Sequence, residues 1–311
     1  MPQQIPILDP TQIAALLLLP GVGRAAVRRL IERAFKVAPQ GPQDLQDFLL
    51  KAGAHGLGVS IPTGDEMEKA YEDAEILMKN AEHLGMKVLT PGMPAFPPQL
   101  CRIPDSPVML YVKGNVNCLS AETVIAVIGT REPSRWGATA AERIAASLAA
   151  KGIVVTSGLA LGCDTAAHRG CMLAGGHTIA VMAHGLDRVY PAQNRQLAAG
   201  ILNSGGCLVS EYAPGVAPSP KYFVERDRLQ SGLSGAVIVI ETNLRGGTMH
   251  TVGFCLKQGR LLGCVAHPSG LVSHPKAQGN RKLIAEKKAI AIPDKEALEE
   301  FLGLLPGRSA Q

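Results

Sequence analysis
Four apolar runs, residues 124–128, 153–156, 178–183 and 236–240, each lead into a short loop rich in glycine. The loops read Gly129-Thr130-Arg131, Ser157-Gly158 through Gly162, Gly185-Leu186-Asp187 and Arg245-Gly246-Gly247-Thr248. Continuous apolar runs of this length suit strands buried on both faces of a parallel sheet. Helical patterns follow them at 137–150, 164–174, 194–203, 225–233 and 248–258, the alternation expected of βαβ units. In such a sheet the loops at the carboxyl ends of the strands lie along one edge and form the ligand crevice. Glycines there let backbone approach a ligand, and helix N-termini aim free N–H groups at anions. The chain is therefore expected to be an α/β protein, an extended Rossmann-like, mostly parallel sheet with flanking helices, carrying an anion-binding edge.

The first 85 residues differ. Apolar residues at 13–19, Val27, Leu30 and Ile31 within 25–34, and an amphipathic stretch at 64–84 mark helices, with breaks at 39–42 and 56–64. A proline-rich segment, 90–107, reads as a linker or a belt against the next domain. The expected division is a helical domain at 1–88, the sheet domain at 89–295, and a C-terminal helix and tail at 296–311. Leu19-Pro20-Gly21-Val22-Gly23 fits a helix–hairpin–helix turn better than a dinucleotide fingerprint. Pro20 interrupts any strand there, and no closing acid follows about twenty residues on.

Composition narrows the partners. The 311 residues carry 46% apolar side chains and a formal net charge of +5, which permits nucleic acid without demanding it. Seven cysteines form no CxxC pair, and Cys163, Cys171, Cys207, Cys255 and Cys264 sit in apolar surroundings, so a reducing, cytoplasmic location is expected. The opening residues lack a secretory pattern, no apolar run is long enough to span a membrane, and no histidine spacing suggests a metal. No cofactor is expected: GxxxxGK[ST] is absent, and no GxGxxG follows the run at 124–128.

The chemistry concentrates in the loops and in one cluster. Arg131 offers a permanently charged fork to phosphate, and the competing reading pairs it with Glu132. Ser134 is placed to cap the next helix and Asp164 the one after, while His168 reads as a buried structural histidine. Lys221-Tyr222-Phe223-Val224-Glu225-Arg226-Asp227-Arg228 interleaves cations with aromatics, the combination that holds single strands by phosphate contact and base stacking with little sequence preference. Glu225 and Asp227 support the rival reading, a helix with internal ion pairs. Asp187 and Glu211 read as loop anchors for backbone N–H groups.

These stretches, in this order, resemble the DprA/Smf family of DNA-processing proteins. The matching segments are 129–131, 156–168 (TSGLALGCDTAAH), 180–194 (AVMAHGLDRVYPAQN), 208–211 (LVSE), 223–234 (FVERDRLQSGLS) and 278–280 (QGN). The resemblance spans roughly residues 90–290. It implies a Rossmann-like fold, a homodimer, single-stranded DNA as ligand, and delivery of that DNA to a RecA-type recombinase during natural transformation. Carried onto matching positions, it puts Arg131, Lys221, Phe223, Arg226 and Arg228 in the DNA pocket, beside Gly129, Thr130, Gly158, Arg245, Gly246, Gly247 and Thr248. Three motifs depart from the family pattern. Arg226-Asp227-Arg228 stands for Arg-Asn-Arg, Arg245-Gly246-Gly247-Thr248 for a Ser-Gly-Ser/Thr loop, and His267-Pro268 for Pro-Gly. No winged-helix domain is expected after Leu305. A dimer built by the sheet domain is expected, with the segment 256–265 supplying an edge strand. The rival class is a nucleotide-binding sensor or phosphoribohydrolase of the same fold superfamily, for which Glu241 is the nearest catalytic acid.

Overall fold
The structure is a computed structural model describing residues 8–32, 39–54, 61–271 and 274–305. The end of the second N-terminal helix at Ala34, most of the break at 56–64 and the tail at 306–311 lie outside the described residues.

The N-terminal helices are α1 (Pro10–Leu18), α2 (Arg24–Glu32), α3 (Pro42–Ala54) and α4 (Gly64–His83). Capping boxes start two of them, Asp9 with Gln12 on α1 and Thr63 with Glu66 on α4, each satisfying N–H groups the helix leaves open. Residues 19–23 form the turn between α1 and α2, with Gly21 in the left-handed region at φ +76° and Val22 N donating to Leu19 O. It is a helical hairpin, as the interrupting proline implied.

The sheet begins at β1 (Met86–Leu89), inside the span read as helical, followed by β2 (Leu110–Gly114). The proline-rich segment between them is a belt. Its Phe96, Leu100 and Ile103 are buried, and Gln99 Nε2 donates to Leu119 O and Leu233 O. Next come β3 (Val124–Ile128), α5 (Arg135–Ala149), β4 (Val154–Ser157), α6 (Cys163–Leu173), β5 (Thr178–Val181), α7 (Arg195–Asn203) and β6 (Cys207–Ser210). The chain closes with α8 (Pro220–Leu233), β7 (Ala236–Val239), α9 (Thr248–Lys257), β8 (Leu261–Val265), α10 (Gln278–Ala285), β9 (Ile290–Ile292) and α11 (Lys295–Gly303).

These strands form one sheet in the order β1-β2-β6-β5-β4-β3-β7-β8-β9. All neighbours from β6 to β9 run parallel, and β2 and β1 add antiparallel at the β6 side. Every residue of β3, β4, β5, β6 and β7 is buried, which explains their unbroken apolar runs. Helices α5, α6 and α11 pack one face through Ala141, Ala167 and Phe301, and α8, α9 and α10 pack the other through Leu229, Val252 and Leu283. The N-terminal helices and α7 share a further core with the β5–β6 end, where Leu16, Val27 and Ile201 meet Met182 and Leu208. Each fully buried leucine or isoleucine there contributes about 1.5–3 kcal/mol.

The expected edge strand is interior. β8 pairs with β7 on one side and with β9 on the other. The outer strand is Ile290-Ala291-Ile292, whose three residues between Lys287-Lys288 and Pro293 are too short to announce a strand in the sequence. From β3 the chain winds outward through β4, β5 and β6, then returns to place β7 on the other side of β3. The carboxyl ends of β3 and β7 are thus the topological switch point, where open α/β sheets bind ligands. No helix among the described residues is long and apolar enough to cross a membrane.

Candidate nucleic-acid interface
A cavity of about 700 Å³ opens at that switch point. The β3 loop supplies Gly129, Thr130 and Arg131, the β7 loop Gly246, Gly247 and Thr248, and α8 supplies Phe223 and Arg226. Two backbone bonds stitch the loops: Thr130 N donates to Glu241 O (2.8 Å), and Cys163 N to Thr130 O (3.1 Å). Gly162, at φ +81°, passes so close to the carbonyls of Thr130 and Arg131 that a side chain has no room. The β7 loop hangs on Asn280, which accepts from Thr242 N and donates to Val239 O, Ile240 O and Val265 O.

Arg131 is exposed at the cavity mouth, its guanidinium 5.3 Å over the Phe223 ring. Glu132, its expected rival partner, lies 3.7 Å from Lys276 instead. Tyr190, 44% exposed, sets its ring 5.6 Å from Phe223. A cation and two aromatic rings therefore meet where the loops open. Tyr190, Asp227, Gln230, Asn243, His250 and Thr251 also line the cavity, and sequence reasoning missed all six as lining residues. Their signal was positional only: Asp227 and Gln230 follow Phe223 at one and two helical turns, and His250 and Thr251 follow the Gly246-Gly247 loop.

Beneath the mouth, Arg226 is buried and donates to Gly158 O (2.8 Å) and to Val181 O, with Asp227 Oδ1 3.1 Å from its Nε. Gly158 does not line the cavity. Arg226 and Gln230 fill the space its side chain would need. Asp164 closes the same loop, its Oδ2 accepting from Gly158 N (3.0 Å) and Ala160 N (3.3 Å). The residue before α6 is Gly162, so Asp164 is not the N-cap; it sits in the first turn and binds the preceding loop rather than the helix end. Burial pushes its carboxyl up to about 6 against the pull of Arg226 and the Ala160 N–H. His168, one turn on, is fully buried with Nδ1 2.7 Å from Thr178 Oγ1 and Nε2 unpartnered; burial and then Arg226 push it down to about 3. Ser134 does cap α5, accepting from Gly137 N (2.9 Å).

The other cations lie elsewhere. Lys221 is on the exposed first turn of α8, 3.5 Å from Glu225 Oε1. Arg245 is exposed on the loop outside the cavity lining. Arg228 is buried on the far side of α8 and grips Glu211 with both ends of its fork, at 2.5 and 2.7 Å. Glu211 is thus an arginine partner, not an anchor for backbone N–H groups; Asp187 does accept from Gly215 N (2.8 Å). Arg24, at the start of α2, joins the cluster 3.2 Å from Glu225 and 3.7 Å from Glu211, its guanidinium 4.7 Å over the Tyr212 ring. The hairpin turn is consequently docked onto α8. Glu241 is buried under the β3 loop, accepting from Ser134 N (2.7 Å) and Oγ (2.6 Å), with His267 Nε2 at 3.3 Å. Despite burial, the His267 and Ser134 hydrogen bonds hold its carboxyl below the ordinary range. It does not line the cavity.

Residues 87–303 match the model of the DNA recombination-mediator protein A family. The chain belongs to that family. Among similar DprA/Smf proteins, Protein Smf of Escherichia coli is 36% identical over 66% of this chain and 54% of its own length. DprA of Bacillus subtilis is 32% identical over 79% of this chain and 80% of its own. The chain thus spans about half of the first relative and most of the second. The crystal structure of DprA from Streptococcus pneumoniae superposes with a TM-score of 0.78 at 26% identity, covering 97% of this chain and all of that one. A structure of DprA from Helicobacter pylori, described for its single-stranded DNA binding mode, gives 0.62 at 26% identity over 70% of this chain and 95% of that one.

Proposed function
We propose that this DprA/Smf chain holds single-stranded DNA at the switch-point cavity and presents it to a RecA-type recombinase. The observation that carries the reading is Arg131, which has no ion pair among the described residues and lies over Phe223 at the cavity mouth. The guanidinium meets phosphate, the Phe223 ring stacks a base, and Thr130 and the Gly246-Gly247-Thr248 loop line the path between. Lys221 and Arg245, both exposed, are the further cations of this reading. Gly158, Arg226 and Arg228 support this surface from within. The helical segment at 1–88 braces α8, and the sheet domain at 89–295 binds DNA and forms the homodimer, for which β9 provides an open edge. A cytoplasmic site of action is supported by seven free cysteines, six of them buried. The enzymatic alternative is weakened by Glu241, whose carboxylate faces Ser134 and His267 instead of the cavity.

Fluorescence anisotropy with single- and double-stranded oligonucleotides over a salt series tests the reading. Single strands are expected to bind tighter, with affinity falling steeply as salt rises and counterion release is lost. Tighter binding of duplex overturns it, and base release or strand cleavage detected by mass spectrometry moves the assignment to the enzymatic alternative.

A further inference from the structure
A cavity made only for phosphate would present donors throughout. The α8–α9 wall of this one presents a carboxylate. Asp227 lines the cavity with its side chain 13% exposed, its Oδ1 3.1 Å from Arg226 Nε. Its other neighbours are His250 and the Thr251 hydroxyl on the first turn of α9, which line the same wall. An ionised carboxylate accepts hydrogen bonds and donates none, so it repels a phosphate oxygen and attracts an N–H.

The spacing says where that N–H comes from. Phe223 and Asp227 are four residues apart on α8, so their side chains leave the same helix face about 6 Å apart. Both line the cavity. A base stacked on the Phe223 ring extends toward the carboxylate one turn further on, and the two contacts fall on its face and its edge. The bases differ at that edge. Cytosine, adenine and guanine each carry an exocyclic amino group, and a carboxylate accepts from it readily. Thymine offers one N–H between two carbonyl oxygens, which a carboxylate repels. The nearest donors, Arg226 and Thr251, orient Asp227 without neutralising it as an acceptor, since each carboxylate oxygen keeps a further lone pair.

We propose that Asp227 reads the edge of the base stacked on Phe223 and selects amino-bearing bases over thymine. This rests on the cavity being the DNA site, and it departs from the indifference to sequence that a basic–aromatic cluster alone implies.

The test uses the full chain and two oligonucleotides of equal length, oligodeoxycytidine and oligodeoxythymidine, followed by anisotropy at mildly alkaline pH. Oligodeoxycytidine is expected to bind about five- to tenfold tighter, the scale of one base-edge contact. Replacing its bases by 2-pyrimidinone, which deletes the 4-amino group, brings the affinity down to the thymidine level. In Asp227→Asn, folded as judged by circular dichroism, the two affinities converge to within about twofold, because an amide can both donate and accept. Binding of both oligonucleotides without discrimination, or discrimination that Asp227→Asn leaves intact, overturns the base-reading role alone. Failure of either to bind overturns the DNA site and this inference with it.

Discussion

Helix α8 turns one face to the cavity and the other to the N-terminal helices, and each face carries an arginine. Arg226 and Arg228 are two residues apart, a spacing that puts them on different sides of a helix. Arg226 holds the Gly158 loop by its carbonyl and leaves a cavity above it. Arg228 is closed off, locked by Glu211 and donating to Asp105 O and Glu225 O. The same helix thus faces the cavity on one side and domain packing on the other. Charge in the sequence does not tell which arginine faces the cavity and which the N-terminal helices; the decisive partners are remote, Glu211 after β6 and Arg24 on α2.

The sharpest way to break this comparison is to remove each side in turn. Arg228→Ala leaves the Glu211 carboxylate buried beside only a half-exposed Arg24, and removing one partner of a buried pair costs about 3–5 kcal/mol. Urea unfolding should show that loss. A variant as stable as the parent but weak in DNA binding would reverse the comparison and place Arg228 in the DNA site.

Arg131→Ala should behave in the opposite way. Arg131 is exposed and touches Phe223 without an ion pair among the described residues, so stability should stay within roughly 0.5 kcal/mol. DNA affinity should fall by about 1–3 kcal/mol, the range of a charge-assisted hydrogen bond. A melting temperature that falls with normal affinity would make the residue structural.

The sheet, its parallel run and the edge that carries the cavity were legible because buried strands leave largely apolar segments and the loops after them are punctuated by glycine. Ser134 was legible as a cap because N-capping is local. Asp164 has the same local signature, but its oxygen is drawn to the preceding loop, whose Leu159 holds an uncommon φ of +57° with its carbonyl bound by Asn194. That bond reaches 35 residues along the chain, beyond any local pattern. β9 escaped because three residues carry no periodicity. The cluster at 221–228 divides between a cavity-facing side and an ion-paired side of one helix, and composition cannot separate sides.

A pH dependence sharpens the cavity side. Asp164 and His168 sit one turn apart on α6, both near Arg226, and burial moves them in opposite directions. The Asp164 carboxyl titrates near 6 when folded, against 3.8 as its ordinary value, so between those limits the folded state binds the extra proton. That contribution is present in acid and is lost as pH rises through about 6. His168 titrates near 3 when folded, against 6.5, so over that window the unfolded state binds the extra proton. That contribution is present above about 6.5 and is lost as pH falls. The two slopes oppose each other between about pH 4 and 6, each worth on the order of 3–5 kcal/mol when fully expressed. In the parent protein they largely cancel. Asp164→Asn should remove the first and unmask the second, so that stability rises more steeply with pH between about 4 and 6 than in the parent. His168→Gln should do the reverse. The measurement is the free energy of unfolding by urea across pH for the three proteins, read as differences so that the other titrating groups drop out. Parallel curves for Asp164→Asn and the parent would mean that Asp164 holds no proton near pH 5, and that Arg226 keeps it ionised beneath the cavity.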